Sequence, residues 1–559
     1  MAADTPFTSH LDTFAADHLP PRDQWPDFRF ERPEYRYPEH LNCAGQLLDV
    51  QVERGHGKRR ALGAMVRGQV VFANYEQLQA QANRIANVLV NELELVPGNR
   101  VLLRAPNNPM MAACWLAVMK AGLIAVPTMP LLRAKELHQI IAKARVATAL
   151  CDAALAEELA HCRNPAHEHY AAGLMRVIHF NGAAPSGSEP TLDALCRHQP
   201  ARFANIDTAR DDVCLLAFTS GTSGEPKATM HFHRDVMAMC DGFSRHVLRP
   251  TADDVFIGTP PLAFTFGLGG LLCFPLAVGA STLLIEHATP ELLLDTIARS
   301  HATIVISAPT FYRQMALLLQ ADPKRHSIGS LAKSVSAGEA LPDATRQLWK
   351  QTTGIEMIDG IGGTEVMHIY ISASGNDVRR GAIGKVVPGY EAIIVDDDMR
   401  PLPPGSVGKL ALKGPTGCRY LGDARQKTYV KNGWNLPGDS FTMDPDGYFH
   451  YQARTDDMII SAGYNIAGLE VESALLEHAA VAECGVVGVP DEERGQIVKA
   501  FVVLKSGFVA SHALAYELQA FVKSHIAPYK YPREIEFRDA LPRTETGKLQ
   551  RFKLRSEAR

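Results

Sequence analysis

At 559 residues, with 46% hydrophobic and 21% charged residues, the chain is too long for one simple core, and two to four domains or subdomains are expected. A net charge of −4 gives no reason to expect nucleic acid or an anionic membrane surface as a partner. Ten cysteines without a Cys-x-x-Cys pair argue against a zinc site and against a disulfide framework.

In chain order, residues 1–45 are rich in proline and aromatics (Pro20, Pro21, Trp25, Pro26, Phe28, Tyr35) and read as an arm lying over the body. The start, Met1-Ala2-Ala3-Asp4, has no basic stretch followed by an apolar one, so a cytoplasmic setting is expected. Asn74, with Gln77 three residues on, predicts a capped helix carrying Leu78, Ala82, Ile85 and Leu89 on one stripe. Strands are predicted at Val101–Leu103, Leu123–Val126 and Thr148–Cys151, with helices around Met110–Met119 and Ala134–Ala144 between them. The alternation resumes with strands at Thr282–Ile285, Thr303–Ile306, Lys333–Ser336 and Glu356–Ile358. Helices are predicted at Pro290–Ser300, Pro309–Leu319 and Pro342 to about Gln351. This βαβ rhythm predicts parallel sheets, so residues 46–385 are read as two α/β layers. The uncharged run Val255–Ile285 is long enough for a membrane helix, but Pro260, Pro261, Pro275 and five glycines break it into buried strand, loop and helix.

From Ala392 to about Tyr451 short apolar runs alternate with Pro/Gly turns, which predicts a small antiparallel β subdomain over about 386–453. Arg454-Thr455-Asp456-Asp457 is a charged interval and is taken as the boundary at 454–457. Residues 458–559 then read as a compact α+β unit, with helices at Gly468–His478 and Ala513–Ser524.

The densest chemistry follows the strand-like run Val213–Phe218. Thr219-Ser220-Gly221-Thr222-Ser223-Gly224-Glu225-Pro226-Lys227 supplies hydroxyls, two glycines for close backbone approach and one mobile positive charge. That set suits a polyphosphate. It is not a Walker loop, because Pro226 precedes Lys227 and Ala228 follows it. Further loops follow predicted strands: Ala337-Gly338-Glu339 and Asp359-Gly360-Ile361-Gly362-Gly363-Thr364-Glu365. Asp439 ends Trp434-Asn435-Leu436-Pro437-Gly438-Asp439, and its carboxylate can accept two hydrogen bonds from a vicinal diol. Lys548 lies in the basic stretch Leu541–Arg551.

Taken together over about 50 to 551, these stretches resemble the adenylate-forming superfamily of acyl-CoA synthetases, luciferases and peptide-synthetase adenylation domains. The resemblance implies a large domain of two stacked α/β layers with a small β subdomain, and a small mobile α+β C-terminal domain hinged at Asp456. It implies ATP, Mg²⁺ and coenzyme A as reactants or cofactors. The triphosphate would be held by Thr219, Ser220, Gly221, Thr222, Ser223, Gly224 and Lys227, and the Mg²⁺ by Glu365 beside Thr364. Adenine would lie on Gly338, Glu339, Asp359, Gly360, Ile361 and Gly362, with the ribose on Asp439 and a further contact from Arg454. Lys548 would bridge the acid carboxylate and the α-phosphate, and Ser461, Ala462, Gly463 and Tyr464 would line the pantetheine tunnel.

The acid pocket would be bordered by Phe264, Thr265, Phe266, Ala337, Gly338 and His368, a flat slot for an aromatic ring. This region resembles the benzoate-CoA ligase subfamily, in which a histidine at the His368 point lines the acid pocket. Thr265-Phe266 stands where such ligases usually carry Ala-Tyr. The change puts plain benzoate in doubt and suggests an ortho polar group, as in 2-aminobenzoate. Other small aromatic or medium-chain acids, and loading of a separate carrier protein in place of coenzyme A, stay open. A homodimer is compatible with the sequence.

Overall fold

The computed structural model describes residues 7–182, 190–219, 226–454, 457–461, 464–491, 494–526, 528–543 and 549–558. Two mixed sheets form the large body. One has nine strands with Ile304–Ser307, Lys333–Ser336 and Met357–Gly362 at its parallel centre; the other has six and contains Arg100–Arg104, Ile124–Thr128 and Val213–Thr219. One apolar cluster draws on both sheets, with Val101 and Leu103 from one and Ile304, Ile306 and Val335 from the other. Helices Tyr75–Asn87 and Pro109–Lys120 belong to that cluster, and the second is buried over nearly its whole circumference, which explains its unbroken apolar sequence.

Local signals hold where they are strong. Asn74 Oδ1 accepts from Gln77 N–H, and the Gln77 side chain accepts from Asn74 N–H, closing the expected capping box. Within the uncharged run, Val255–Gly258 and Ser281–Leu284 are strands and Thr265–Val278 is helical. No helix among the described residues is long and apolar enough to cross a membrane.

Two features correct the sequence reading. The sheets are not wholly parallel: the hairpin Arg60–Val66/Gln69–Asn74 and the pair Val213–Thr219/Lys227–Phe232 are antiparallel. The strand at Met357 does not stop at Ile358 but runs to Gly362 and pairs with Ile369–Ser372, so part of the expected glycine loop is ladder. A Cβ at Gly362 would lie 2.6 Å from the His368 carbonyl, so glycine is what allows this close pairing.

The β subdomain is antiparallel, with Gly408–Lys413 paired to Glu391–Val395 and to Asp439–Met443. The arm runs over it: Asp27 N–H donates to Gly433 O, Arg29 N–H to Gly414 O and the Tyr35 hydroxyl to Pro388 O. The C-terminal unit is built on Val481–Asp491, Gly495–Leu504 and Glu534–Phe537, packed by helices Gly468–Glu477 and His512–His525 around its own apolar cluster.

Candidate active site

A cleft of about 520 Å³ opens between the large body and the C-terminal unit. Gly338, Glu339, Asp359, Gly360, Ile361, Gly362 and Asp439 line it from one side. Asp457, Glu472, Glu483, Arg543, Leu549 and Arg551 line it from the other. Loops spread over a hundred residues thus converge because each leaves the same end of the nine-stranded sheet or the adjoining β subdomain. Gly338 has φ +87°, which lets the chain turn sharply off its strand. Asp439 is buried, and its strand partner across the antiparallel pair is Arg454. Burial lifts the Asp359 carboxyl to about 6, against the pull of the Arg346 guanidinium 3.6 Å away.

The two halves of the cleft are tied together by charge. Arg543 sits 3.7 Å from Glu339 of the large body and donates to Glu483 of its own unit at 2.8 Å. Arg313 donates to Ala482 O across the same boundary. Arg551 donates to both oxygens of Glu472, and that carboxylate, despite the cost of burial, holds the guanidinium above its usual pKa.

Beside this cleft, three side chains from three elements meet. Lys227 Nζ donates to the Tyr420 hydroxyl at 3.1 Å, the Tyr420 hydroxyl donates to Glu365 Oε1 at 2.6 Å, and Lys227 Nζ lies 3.5 Å from Glu365 Oε1. Burial and the Glu365 carboxylate both push the Tyr420 phenol up, so it remains a donor. Lys227 and Glu365 were expected at this point; Tyr420 was not, since nothing in the stretch Cys418–Leu421 marks a tyrosine as a site residue. Thr364 opens the short helical turn that carries Glu365. A half-buried carboxylate next to a lysine fits a hard divalent cation shared with anionic oxygens of a ligand.

The acid-pocket residues fall partly together. His368 is fully buried, with its ring 5.7 Å from those of Phe243 and Phe266 and 4.6 Å from Phe274. Its Nε2 lies 3.4 Å from Phe266 O, and its Nδ1 has no partner. A carbonyl can only accept, so Nε2 carries the proton and Nδ1 presents a lone pair. Burial holds the imidazole pKa down at about 3, so the ring is neutral. A Cβ at Gly269 would meet His368 at 2.5 Å, so this glycine makes room for the ring. Ala337 belongs to the same apolar cluster as Phe243 and Phe274, with Phe266 packed against it; Thr265 is buried and Phe264 half-buried at the start of helix Thr265–Leu268. Gly338 opens on the cleft.

Several expected residues lie outside the described ones: Ser220, Gly221, Thr222, Ser223 and Gly224 of the phosphate loop, Asp456 of the hinge, Ala462 and Gly463 of the tunnel, and Lys548, with the side chains of Arg454 and Tyr464. Ser461 is described and buried, and its hydroxyl has no partner.

A family model described as "AMP-binding enzyme" matches residues 48–420, and one described as "AMP-binding enzyme C-terminal domain" matches residues 470–548. The chain is 34% identical over 534 residues to a benzoate–CoA ligase of Thauera aromatica, covering 94% of this chain and 97% of that one. It is 33% identical to the mitochondrial acyl-coenzyme A synthetase ACSM5 of Homo sapiens, covering 93% and 91%. Among solved structures it is similar to the anthranilate CoA ligase AuaEII in complex with anthranoyl-AMP, with TM-score 0.87, 33% identity and coverage of 94% and 99%. It is also similar to a benzoate CoA ligase from Burkholderia xenovorans LB400, with TM-score 0.82, 29% identity and coverage of 92% and 100%.

Proposed function

The chain belongs to the AMP-binding enzyme family and is an AMP-forming acid–thiol ligase; on that premise we propose that its acid is 2-aminobenzoate. The observation that carries the choice is the neutral, buried His368 with an unpartnered Nδ1 next to Phe266. An ortho-amino N–H is a donor that this lone pair can accept. Benzoate has no such donor and would leave a buried acceptor unpaired, at a cost of about 1–3 kcal/mol. Thr265, buried at the start of the neighbouring helix, supplies a hydroxyl as a second acceptor for an ortho substituent. Phe243, Phe266 and Phe274 pack around His368 and fix the orientation of its ring.

The chemistry needs no protein nucleophile. A carboxylate oxygen of the acid attacks the α-phosphate of ATP, and the bond to pyrophosphate breaks. Lys227 and Glu365, with the phosphate loop, bind and orient the triphosphate. Glu365 would hold Mg²⁺, which when bound neutralises phosphate charge. Asp439 takes the ribose, and the strand end Asp359–Gly362 takes the base. The coenzyme A thiolate then attacks the acyl carbonyl, and AMP leaves. Arg543, Leu549 and Arg551 of the C-terminal unit line the cleft, which supports a first step carried out between the two units.

The test is acid-dependent pyrophosphate release with MgATP over benzoate, 2-aminobenzoate, 4-hydroxybenzoate, cinnamate and hexanoate, with and without coenzyme A. 2-Aminobenzoate is expected to exceed benzoate by about tenfold or more in kcat/KM, the equivalent of ~1.4 kcal/mol. His368→Phe keeps a ring in place but removes the acceptor, and it should bring the ratio close to unity. Preference for benzoate in the parent enzyme would overturn the His368 argument and leave the ligase standing. Preference for hexanoate would overturn the flat slot.

Tyr420→Phe is expected to raise the Mg²⁺ concentration for half-maximal pyrophosphate release by about 10–100-fold, the usual cost of losing an outer-sphere partner of a metal ligand. An unchanged Mg²⁺ dependence would show that Tyr420 does not orient Glu365.

A further inference from the structure

Asn107 links the two sheets at the loop that leads into the expected acid pocket. It follows strand Arg100–Arg104 of the six-stranded sheet and is buried. Its Nδ2 donates to Pro260 O at 2.9 Å, and its Oδ1 accepts from the Leu262 backbone N–H at 2.7 Å. Both partners lie in the loop after strand Val255–Gly258 of the nine-stranded sheet, 153 and 155 positions away. These partners settle which way the amide points, because a backbone carbonyl only accepts and a backbone N–H only donates. Pro260 and Pro261 carry no N–H, so neither can tie the loop to a neighbouring strand through a donor.

Asn107 is itself held in place. The next side chain, Asn108, accepts from the Met111 N–H at 3.0 Å at the start of helix Pro109–Lys120, and it donates to Asp152 and Glu286, each at 3.0 Å. The near end of the loop is fixed by Thr259, whose N–H donates to Ile306 O at 3.1 Å and whose Oγ1 lies 2.7 Å from Ser307 Oγ. Beyond Leu262 the chain turns, with Phe264 N–H donating to Pro261 O at 3.0 Å, and enters helix Thr265–Leu268. That helix rests on the loop carbonyls: a Cβ at Gly267 would come within 2.1 Å of Pro261 O and 2.5 Å of Pro260 O. The carbonyl that Asn107 holds therefore supports the turn carrying Phe266. Phe266 in turn meets His368 through its ring at 5.7 Å and its carbonyl at 3.4 Å.

We propose that Asn107 is a positioning residue for the carboxylic acid: by holding Pro260 and Leu262 it sets where Thr265 and Phe266 stand relative to His368. The proposal rests on the reading of Phe264, Thr265 and Phe266 as the border of the acid pocket, and not on which acid is taken. Without the amide, a buried carbonyl and a buried N–H lose their partner, and the loop must move to find others. A wall of the pocket then moves with it, and a misplacement of about 1 Å in a substrate-positioning group can cost ~10²-fold in rate. Asn107 stands apart from the residues that line the nucleotide cleft, so the effect falls on the acid and spares ATP.

The test is Asn107→Leu, close in size but without either polar group, assayed for acid-dependent pyrophosphate release with the acid that the parent enzyme takes best. Its kcat/KM for the acid is expected to fall by about 10–100-fold, with the KM for MgATP within about twofold of the parent. Asn107→Asp is the second variant. Its ionised carboxylate can still accept from Leu262 N–H but has no donor for Pro260 O, whereas its protonated form offers both. Burial and the facing carbonyl raise the pKa of such a carboxyl, so the deficit relative to the parent at the same pH should narrow as pH falls from about 8 to about 5.5. A side chain that served only as packing would show no such pH response. Should Asn107→Leu fail to fold, the Asn107→Asp profile decides. An unchanged acid kcat/KM in Asn107→Leu overturns the proposal. So does an equal rise in the KM values for acid and MgATP, or an Asn107→Asp deficit that is the same at both ends of the pH range. Because every readout uses the acid the parent prefers, a preference for benzoate would sink the choice of 2-aminobenzoate and leave this test intact.

Discussion

Lys548→Ala is expected to lower acid-dependent pyrophosphate release by about 10²–10³-fold, the usual loss when a preorganised charge is removed from a developing anion. In the first half-reaction a carboxylate and a phosphate, both anionic, are driven together, and a cation between them acts mainly in the transition state. The described residues on either side of position 548 lie at the cleft. Arg543 and Leu549 pair as a backbone bridge, both line the nucleotide cleft, and Arg543 faces Glu339 across it. The second half-reaction needs no such bridge. Thioester formation from preformed acyl-adenylate and coenzyme A should therefore stay near the parent rate in Lys548→Ala. An equal loss in both half-reactions would mean that the substitution disturbs docking of the C-terminal unit and that Lys548 is not the bridging cation. Lys548→Arg should recover only part of the first step, because a planar guanidinium does not replace a compact ammonium.

Arg419→Met is expected to destabilise the large body by about 3–5 kcal/mol, because it leaves a buried carboxylate unpaired. Arg419 and Asp235 are both fully buried and form an ion pair 184 positions apart in sequence. Asp235 also accepts from the backbone N–H of Phe232, at the end of the strand leaving the phosphate loop. Burial works against its ionisation, but Arg419 and then His231 hold its carboxyl below the usual range. The guanidinium packs 3.9 Å from the Phe232 ring, with Phe28 and Trp25 of the arm beyond it. Chemical denaturation followed by tryptophan fluorescence should show the loss. The double variant Arg419→Met/Asp235→Leu should regain most of it, since removing both charges removes the desolvation problem. A double variant as unstable as the single one would show that Arg419 acts through packing alone. Because Tyr420 is the next residue, the single variant should also raise the Mg²⁺ requirement, which ties the stability of this pair to the site.

The parts of the site that were legible in the sequence are those whose chemistry is local. The phosphate loop carries its hydroxyls, glycines and lysine within nine consecutive residues, and the cleft-lining stretches Gly338–Glu339, Asp359–Gly362 and Asp439 sit at strand ends that alternating hydrophobicity already marks. The capping box at Asn74 is of the same kind. Less legible was the strand that continues through Gly360–Gly362, because a glycine-rich segment reads as loop until its partner Ile369–Ser372 is known.

The sequence by itself therefore determined the fold class and the family and marked where the nucleotide is expected, since each depends on residues close together in the chain. The tertiary structure alone decided which side chains touch across large separations. Tyr420 reaches Lys227 over 193 positions and His368 reaches Phe266 over 102. Cys43 likewise meets His233 over 190. These contacts are made by packing two sheets and an arm around common apolar clusters. A lone tyrosine, histidine or cysteine looks the same in sequence whether the core brings it a partner or not. What separates the cases is burial, which removes water as the alternative partner and makes the remaining neighbour decide the protonation state, the ligand or the substrate.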